Sequence, residues 1–294
     1  MTKKISLLLA IILAFCSCVA LSSCGEPPED PNGYDIESYV FDFHISDDGT
    51  YYIVTGYGIN TETETIIPDE HEGKPVKAIK EEAFGRDPQK VRIEVMTISK
   101  NIETIGASSF YECTNLRTLN FNKGLKSIGH GAFAKCSALT QVILPEGLES
   151  IDDLAFRECT NLESVALPST LKHLGANVFA GTKFLNENAR IHNRNIAYCN
   201  NSDIKAWVLY ANFDIVDANL PDNTVGIASD AFAYCDALTT LEIPASVKYI
   251  SADAFIGCTA LTTINYGGSP DDFANIVIES GNDALFNAII NFAK

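Results

Sequence analysis

The chain has 294 residues, of which 38 are acidic and 21 are basic, and its formal net charge at pH 7 is −17. Nucleic acids and anionic membrane surfaces are bound through basic patches, and no cluster of lysine or arginine occurs here, so we exclude both as electrostatic partners. The length suits one long domain or two small ones.

Residues 1–23 have the pattern of a secretory signal peptide, with Lys3 and Lys4 before an apolar run and small residues after it. The apolar run is rather short for a membrane span, which needs about 20 residues. The segment Leu21–Cys24 resembles a bacterial lipobox, which implies cleavage before Cys24 and attachment of lipid, including palmitate, to that cysteine. The alternative is an ordinary secretory signal with an incidental cysteine.

The next two segments are a tether and a cap. Residues 24–33 are acidic and proline-rich, a composition that cannot bury enough surface to fold and that predicts a disordered spacer. Residues 34–75 alternate apolar and polar positions on both sides of Asp47-Asp48-Gly49, which predicts a β-hairpin. We expect this hairpin to close the first end of a repeat array.

Residues 76–266 contain a repeated pattern in which an aliphatic residue is followed, five positions later, by a phenylalanine in a short turn. The phenylalanines are separated by 26, 23, 23, 23, 53 and 23 residues, and they are Phe84, Phe110, Phe133, Phe156, Phe179, Phe232 and Phe255. Apolar residues at a fixed period indicate stacked structural repeats. We expect the units to stack along one axis and the seven rings to form a shared row in the core.

Each unit also contains one short strand. In one unit, Leu139, Val142 and Leu144 occupy inward positions, while Gln141 and Ile143 face outward. The turns are too short for long helices. The sequence therefore predicts a mainly β solenoid of about seven 23-residue units.

The outward strand positions of successive units predict a flat, mostly uncharged surface, which we call the candidate face. Its members are Thr118, Asn120, Gln141, Ser164, Asn219, Thr240, Glu242, Thr263 and Asn265. Two interpretations stay open, a simply solvated surface and a broad binding site for an extended protein or a glycan.

An insertion of 30 residues interrupts the fifth unit, at about residues 186–214. Its pattern predicts a hairpin with Tyr198, Trp207 and Tyr210, and Trp207 is the single tryptophan of the chain. Insertions in repeat proteins often lie on a binding face, so these aromatic residues are candidate ligand contacts. The alternative is that they pack the hairpin onto the solenoid.

Residues 267–294 predict a C-terminal cap made of a short helix and a strand. Ser269 and Pro270 have the order of an N-cap followed by proline at the first helical position. Residues 288–292 read as the final strand.

Five cysteines follow the repeat at Cys113, Cys136, Cys159, Cys235 and Cys258, and they form no Cys-x-x-Cys pair. We interpret them as a row of buried free thiols, with disulfides or a metal site as the alternative, and Cys199 lies outside this row. The five histidines have no metal-binding spacing, and no catalytic motif occurs. We therefore predict no enzyme activity, cofactor or bound metal.

The order Leu-x-x-Val-x-Leu-Pro, Leu-x-x-Ile and Ala-Phe-x-x-Cys resembles the BspA-like leucine-rich repeats of bacterial surface proteins. This resemblance implies a right-handed array that acts as an adhesion or protein-interaction module on the cell surface. The expected partner is an extracellular or host protein. We expect a monomer held by the N-terminal lipid to the outer membrane or to the outer leaflet of the plasma membrane. The alternatives are a carbohydrate-capture lipoprotein and a structural envelope protein.

Overall fold

The computed structural model describes residues 41–58, 62–87, 92–185, 190–192, 196–201 and 205–293. They belong to a compact unit over residues 36–294. The predicted signal peptide, Cys24 and the tether lie outside the described residues, and the domain boundaries remain predictions. Among the described residues, no helix has the length and apolar character needed to cross a bilayer.

The protein is a β-solenoid of about nine turns with almost no helix, which confirms the predicted fold class. The strands before the insertion are β1 (Phe41–Ile45), β2 (Tyr52–Tyr57), β3 (Glu64–Ile66), β4 (Glu70–His71), β5 (Lys74–Ile79), β6 (Val95–Thr97), β7 (Thr104–Ile105), β8 (Thr118–Asn120), β9 (Ser127–Ile128), β10 (Gln141–Ile143), β11 (Ser150–Ile151), β12 (Ser164–Ala166) and β13 (His173–Leu174).

The later elements are β14 (Arg190–His192), β15 (Ile196–Asn201), β16 (Lys205–Ala211), β17 (Asp217–Asn219), β18 (Thr224–Ile227), β19 (Thr240–Ile243), β20 (Tyr249–Ile250), β21 (Thr263–Tyr266), α1 (Pro270–Ala274), β22 (Val277–Ile278), α2 (Asp283–Asn287) and β23 (Ile289–Phe292). Two of them lie beyond the last predicted repeat and still continue the array, because β22 pairs with β20 and β23 pairs with β21. The flanking segments therefore add turns to the seven predicted units.

Two parallel sheets run along the solenoid. The first sheet is built from the strands that end at the repeat aliphatic residue, as in the pairs Ile105 with Ile128 and Ile128 with Ile151. The second sheet contains β3, β6, β8, β10, β12, β17, β19, β21 and β23, although hydrogen bonding divides it into separate blocks. Side chains alternate across each strand, so each unit buries one face and exposes the other.

The phenylalanine turn forms a third set of hydrogen bonds along the array. The backbone N–H of Phe110 donates to the carbonyl of Ala132 in the next unit at 2.7 Å, and Phe133 donates to Ala155 at 2.8 Å. Residues two positions before and after the phenylalanine have left-handed backbone angles in most units, as in Leu154 (φ 59°) and Glu158 (φ 58°). These angles bend the chain tightly enough to bring its N–H groups toward the following turn.

The seven repeat phenylalanines are at most 2% exposed. In the first five units their rings stack in a row, with centroids 4.8 Å apart for Phe84 and Phe110 and 5.9 Å apart for Phe156 and Phe179. Phe232 and Phe255 stack at 4.9 Å beyond the insertion. The buried residues accordingly form two hydrophobic clusters, one centred on each row.

The hairpin of β1 and β2 is antiparallel, with the predicted turn at Gly49 (φ 69°). β2 also pairs in parallel with β5, and Phe41 contacts Phe84 at a centroid distance of 6.1 Å. The hairpin therefore covers the first ring of the row. The segment predicted as a separate cap contributes β3 and the first two residues of β5 to the two sheets of the solenoid.

The predicted insertion hairpin is present, because β15 and β16 pair antiparallel. In the regular array, the N–H of Asp152 donates to the carbonyl of Ile128 in the preceding unit at 2.9 Å. At the insertion, Ala228 makes the equivalent bond to Val208 of β16, at 2.9 Å. The inserted strand β16 therefore occupies the place beside β18 that, in the regular array, belongs to the first-sheet strand of the preceding unit.

The array changes direction at the insertion, in a region that we call the seam. Leu174 accepts a hydrogen bond from the N–H of Ser229 at 2.9 Å and donates one to the hydroxyl of Ser251 at 3.3 Å. His173 lies 3.0 Å from the carboxylate of Glu279. In a straight stack with strands about 4.8 Å apart, Glu279 would lie several strand spacings away from His173. The expected single coaxial stack is therefore wrong at this point, because β16 displaces β13 from the edge of the later turns.

The C-terminal segment contains the predicted helix α1. Ser269 is its N-cap, and its hydroxyl accepts a hydrogen bond from the N–H of Asp272 while the Asp272 carboxylate accepts one from the N–H of Ser269. This reciprocal arrangement satisfies two donors at the start of the helix. A second short helix, α2, precedes β23.

Candidate functional site

The candidate face lies on the outward side of the second sheet. Parallel pairing aligns Gln141 with Ser164, Thr240 with Thr263, and Glu242 with Asn265. Each pair comes from adjacent units, because the 23-residue period returns the same strand position to the same place in the next turn. The sequence-predicted residues are therefore neighbours within each hydrogen-bonded group of strands, although β8, with Thr118 and Asn120, and β10, with Gln141, belong to separate groups.

The face is not continuous, although the sequence pattern predicts unbroken rows. β12 and β17 belong to separate sheets, and among the described residues Ser164 has no paired neighbour on the C-terminal side. The seam lies between them. We call the residues of β3 to β12 the N-terminal block and those of β17 to β23 the C-terminal block.

The N-terminal block has a neutral centre with charged pairs at its margin. Gln141 and Ser164 are exposed, and Ile143 beside them is 62% exposed. The Arg117 side chain pairs with Glu94, and Lys183 pairs with Glu163 at 3.0 Å. These basic side chains therefore already have acidic partners.

The C-terminal block contains a hydrogen-bonded chain of amides that ends at a carboxylate. The side-chain amide of Asn291 donates to Asn265 at 2.9 Å, and that of Asn265 donates to Glu242 at 2.6 Å. These residues line a shallow groove, which we call the C-terminal groove, together with Asn219, Asp222 and Tyr266. The chain of bonds restricts the side chains before any ligand arrives.

The aromatic residues of the insertion differ in exposure. Trp207 is 3% exposed, lies against the backbone of Gly226 and stacks with Tyr249 at a centroid distance of 6.3 Å. Tyr198 is partly buried and Tyr210 is 40% exposed. The proposed ligand contact at Trp207 is therefore not available in this structure, because the ring packs the hairpin onto the solenoid. Tyr210 is the most accessible of the three.

The described cysteines are free and buried. Three of them repeat one geometry, in which the thiol of Cys136, Cys159 or Cys258 lies 3.1 Å from the carbonyl of a phenylalanine in the preceding unit. Burial raises the pKa of Cys159 and of Cys258 to about 12. Cys199 packs in the first hydrophobic cluster with Trp207, and burial also raises its pKa to about 12.

The phenylalanine rows, the parallel sheets and the repeated thiol contacts describe a leucine-rich repeat architecture. The sequence matches the family model of the BspA type leucine rich repeat region in six copies, over residues 77–205 and 202–280. The chain belongs to this family. Among curated proteins, no sequence matches this BspA-type chain.

Solved structures similar to this BspA-type protein include leucine-rich repeat proteins. A leucine rich repeat protein of T. pallidum is 22% identical, covers 75% of this chain and 87% of its own, and has a TM-score of 0.49. A leucine rich cell surface protein of Faecalibacterium prausnitzii is 18% identical, covers 88% of this chain and 100% of its own, and has a TM-score of 0.40. The pneumococcal vaccine antigen PcpA is 19% identical, covers 77% and 72%, and has a TM-score of 0.38.

In this BspA-type protein the second sheet is longer than the sequence pattern predicts. At the C-terminal end, β23 adds Ile289 beside Thr263 and Asn291 beside Asn265. Asp222 follows β17 and enters the groove from a turn. The alternation of Ile289 and Asn291 is a signal for the added strand, whereas no pattern in the sequence indicates the position of Asp222.

Within the described parts of the chain, no group of three His, Cys, Asp or Glu side chains has an arrangement suited to a metal ion. The oxygen-rich side chains of the candidate face are instead distributed along the sheet. Such a surface offers hydrogen bonds and charge over several strands.

Proposed function

We propose that this protein is a non-enzymatic recognition module that binds an extracellular protein through the candidate face. The observation that supports the proposal is the register of the second sheet, which presents exposed polar side chains from adjacent units in aligned rows. A face built on paired strands with a packed core loses little conformational entropy on binding. Leucine-rich repeat surfaces of this kind suit a large partner better than a small molecule.

A protein partner fits the face better than a glycan does. Sugar recognition commonly uses exposed aromatic rings, and the tryptophan that the sequence suggested for this role is buried. The paired strands present mainly hydroxyl, amide and carboxylate groups, with Ile143 and Ile289 as exposed apolar positions. Mixed polar and apolar contacts of this kind are typical of protein interfaces.

The experiment compares the purified protein with two matched double variants on an extracellular-matrix protein panel and a glycan array. The face variant carries Gln141→Arg and Ser164→Arg, which place two large cations on adjacent strands of the second sheet. The control carries Ser127→Arg and Ser150→Arg, which make the same change on adjacent strands of the first sheet.

We expect the face variant to lose binding to its protein partner by more than about tenfold, a change of about 1.4 kcal/mol, while the control retains it. Equal loss in both variants, or binding to glycans without binding to any protein, would contradict the proposal. Circular dichroism of each variant checks that the solenoid remains folded.

We also propose that the protein is held on the bacterial cell surface by lipid on Cys24. The support is the lipobox-like sequence Leu21–Cys24 after the apolar run. Several acyl chains give a stable anchor, because each buried methylene contributes about 0.8 kcal/mol. We expect Cys24→Ser to move the protein from the membrane fraction to the soluble fraction, as measured by fractionation and immunoblotting. Glu29→Gln, in the predicted tether, is the control for a change outside the lipobox-like segment, and membrane retention of Cys24→Ser would refute the anchor.

A further inference from the structure

Charge is distributed unequally along the solenoid. Residues 62–185 contain seventeen acidic and fourteen basic side chains, whereas residues 206–293 contain eleven acidic side chains and one basic one, Lys248. The eleven acids are Asp214, Asp217, Asp222, Asp230, Asp236, Glu242, Asp253, Asp271, Asp272, Glu279 and Asp283. The overall negative charge of the folded array is therefore concentrated after the seam.

The two halves also differ in how the charges are paired. Before the seam, cations pair with acids of neighbouring units, as in Lys135 with Glu112 at 3.1 Å and Lys172 with Glu149 at 2.9 Å. After the seam, Glu279 instead lies 3.0 Å from the imidazole of His173. Within the described residues, no lysine or arginine forms an ion pair with the carboxylates of the C-terminal groove.

Hydrogen bonds from neighbouring amides restrict the side chain of Glu242 in the groove. Glu242 is exposed and accepts a hydrogen bond from Asn265, which in turn accepts one from Asn291. Asp222 is exposed on the same groove. The amides provide both donors and acceptors beside the carboxylates, and the side chains of adjacent strands lie about 4.8 Å apart.

We propose that the C-terminal groove binds an extended, lysine- or arginine-containing segment of the partner protein. The cations would contact Asp222 and Glu242, and the amides would bond the main chain of the segment. Arginine is favoured at such a site because its planar guanidinium can form two parallel bonds to one carboxylate. This inference rests on the proposed function and names the kind of partner that the face recognises.

The test uses the purified full chain and two labelled peptides about eight residues long, one alternating arginine with serine and one alternating glutamate with serine. When extended, such a peptide spans about 26 Å, enough to cross the four strands of the C-terminal block. The variant carries Asp222→Asn and Glu242→Gln, which remove two charges and keep an acceptor for Asn265. The control carries Asp271→Asn and Asp283→Asn, which remove two charges outside the groove.

Fluorescence anisotropy should show binding of the arginine peptide and not of the glutamate peptide. We expect the groove variant to weaken binding by about tenfold and the control by less than about twofold, with weaker binding as salt shortens the Debye length. Equal weakening in groove variant and control would overturn the proposal, because it would indicate diffuse attraction to the acidic half. Failure of the arginine peptide to bind would also overturn it.

If no peptide binds while Gln141→Arg with Ser164→Arg still abolishes binding of a matrix protein, the groove inference fails and the proposed function stands. If no matrix protein binds the unmodified chain, the proposed function fails.

Discussion

At the scale of single residues, the repeat phenylalanines carry much of the packing in the solenoid. Phe156 is fully buried, and its ring stacks between Phe133 at 5.3 Å and Phe179 at 5.9 Å. Each ring therefore contacts its own unit and the units on either side. A change at one position should disturb three turns.

Phe156→Ala tests this arrangement. We expect a loss of about 3–5 kcal/mol in the free energy of unfolding, because truncation removes buried area and leaves a cavity between two rings. Denaturant titration followed by circular dichroism measures the loss. Phe213→Ala is the matched control, since Phe213 is 72% exposed and its truncation should cost less than about 0.5 kcal/mol. A loss below about 1 kcal/mol at Phe156 would contradict its place in the core.

The buried thiols should be chemically inert in the folded protein. Burial raises the pKa of Cys159, Cys199 and Cys258 to about 12, and that of Cys235 to about 11. Since the thiolate is the reactive form, the raised pKa leaves very little of it at pH 8. Peptide mass spectrometry after iodoacetamide treatment should find these cysteines unmodified in the native state and modified after unfolding in urea. Rapid native labelling of Cys159 would contradict the structure.

At the scale of elements, the insertion is the feature that shapes the array. β16 pairs with β18 and takes the place beside it that a strand of the fifth unit would otherwise have. The ring of Trp207 lies against the backbone of β18 at Gly226. The hairpin is therefore an inserted layer of the first sheet. Its aromatic residue serves packing at the seam.

Gly226 is required for this contact. A Cβ atom at Gly226 would lie 2.5 Å from Cζ3 of Trp207, which is closer than such atoms approach. We expect Gly226→Ala to destabilise the protein by about 1–3 kcal/mol, as overpacking does. In a Trp207→Ala background the same change should cost much less, which a double-mutant cycle measures. Equal costs in both backgrounds would show that the ring does not press on this strand.

At the scale of the whole molecule, the seam brings distant acids together. Burial raises the pKa of Asp230, and the charges of Asp153 and Asp253 raise it further. Asp153 precedes the insertion and Asp253 lies two units after it, so the contact exists because the array changes direction. The charged form of Asp230 is consequently less favourable in the folded protein than in the unfolded chain.

Asp230→Asn should therefore stabilise the protein at pH 7. The gain should be a few tenths of a kcal/mol, because solvent screens exposed charges, and asparagine tolerates the left-handed angle of this residue (φ 58°). The gain should disappear below pH 3.8, the ordinary pKa, because Asp230 is then protonated in the unfolded chain as well as in the folded protein. Melting temperatures at several pH values measure this dependence, with Asp214→Asn as the control. A gain that is the same at pH 3 and pH 7 would rule out the electrostatic cause.

The amount that sequence could predict differs between the core and the face. The phenylalanine period, the inward positions of each strand and the hairpin of β15 and β16 are local patterns, and the structure confirms them. The left-handed residues of the turns were not predicted, because residues such as Leu154 and Glu158 carry no sequence signal for such angles. Of the residues that line the C-terminal groove, Asn219, Glu242 and Asn265 belong to the candidate face, whose role in binding stays a prediction.

The period of the chain was sufficient to establish a stacked β-solenoid, because apolar residues repeated every 23 positions can all be buried only if the units pile on one another. The change of direction, the burial of Trp207 and the contact of His173 with Glu279 depend on how the insertion packs. These contacts join residues up to 106 positions apart. A repeat pattern constrains only neighbouring units, so contacts across the seam were settled by tertiary packing.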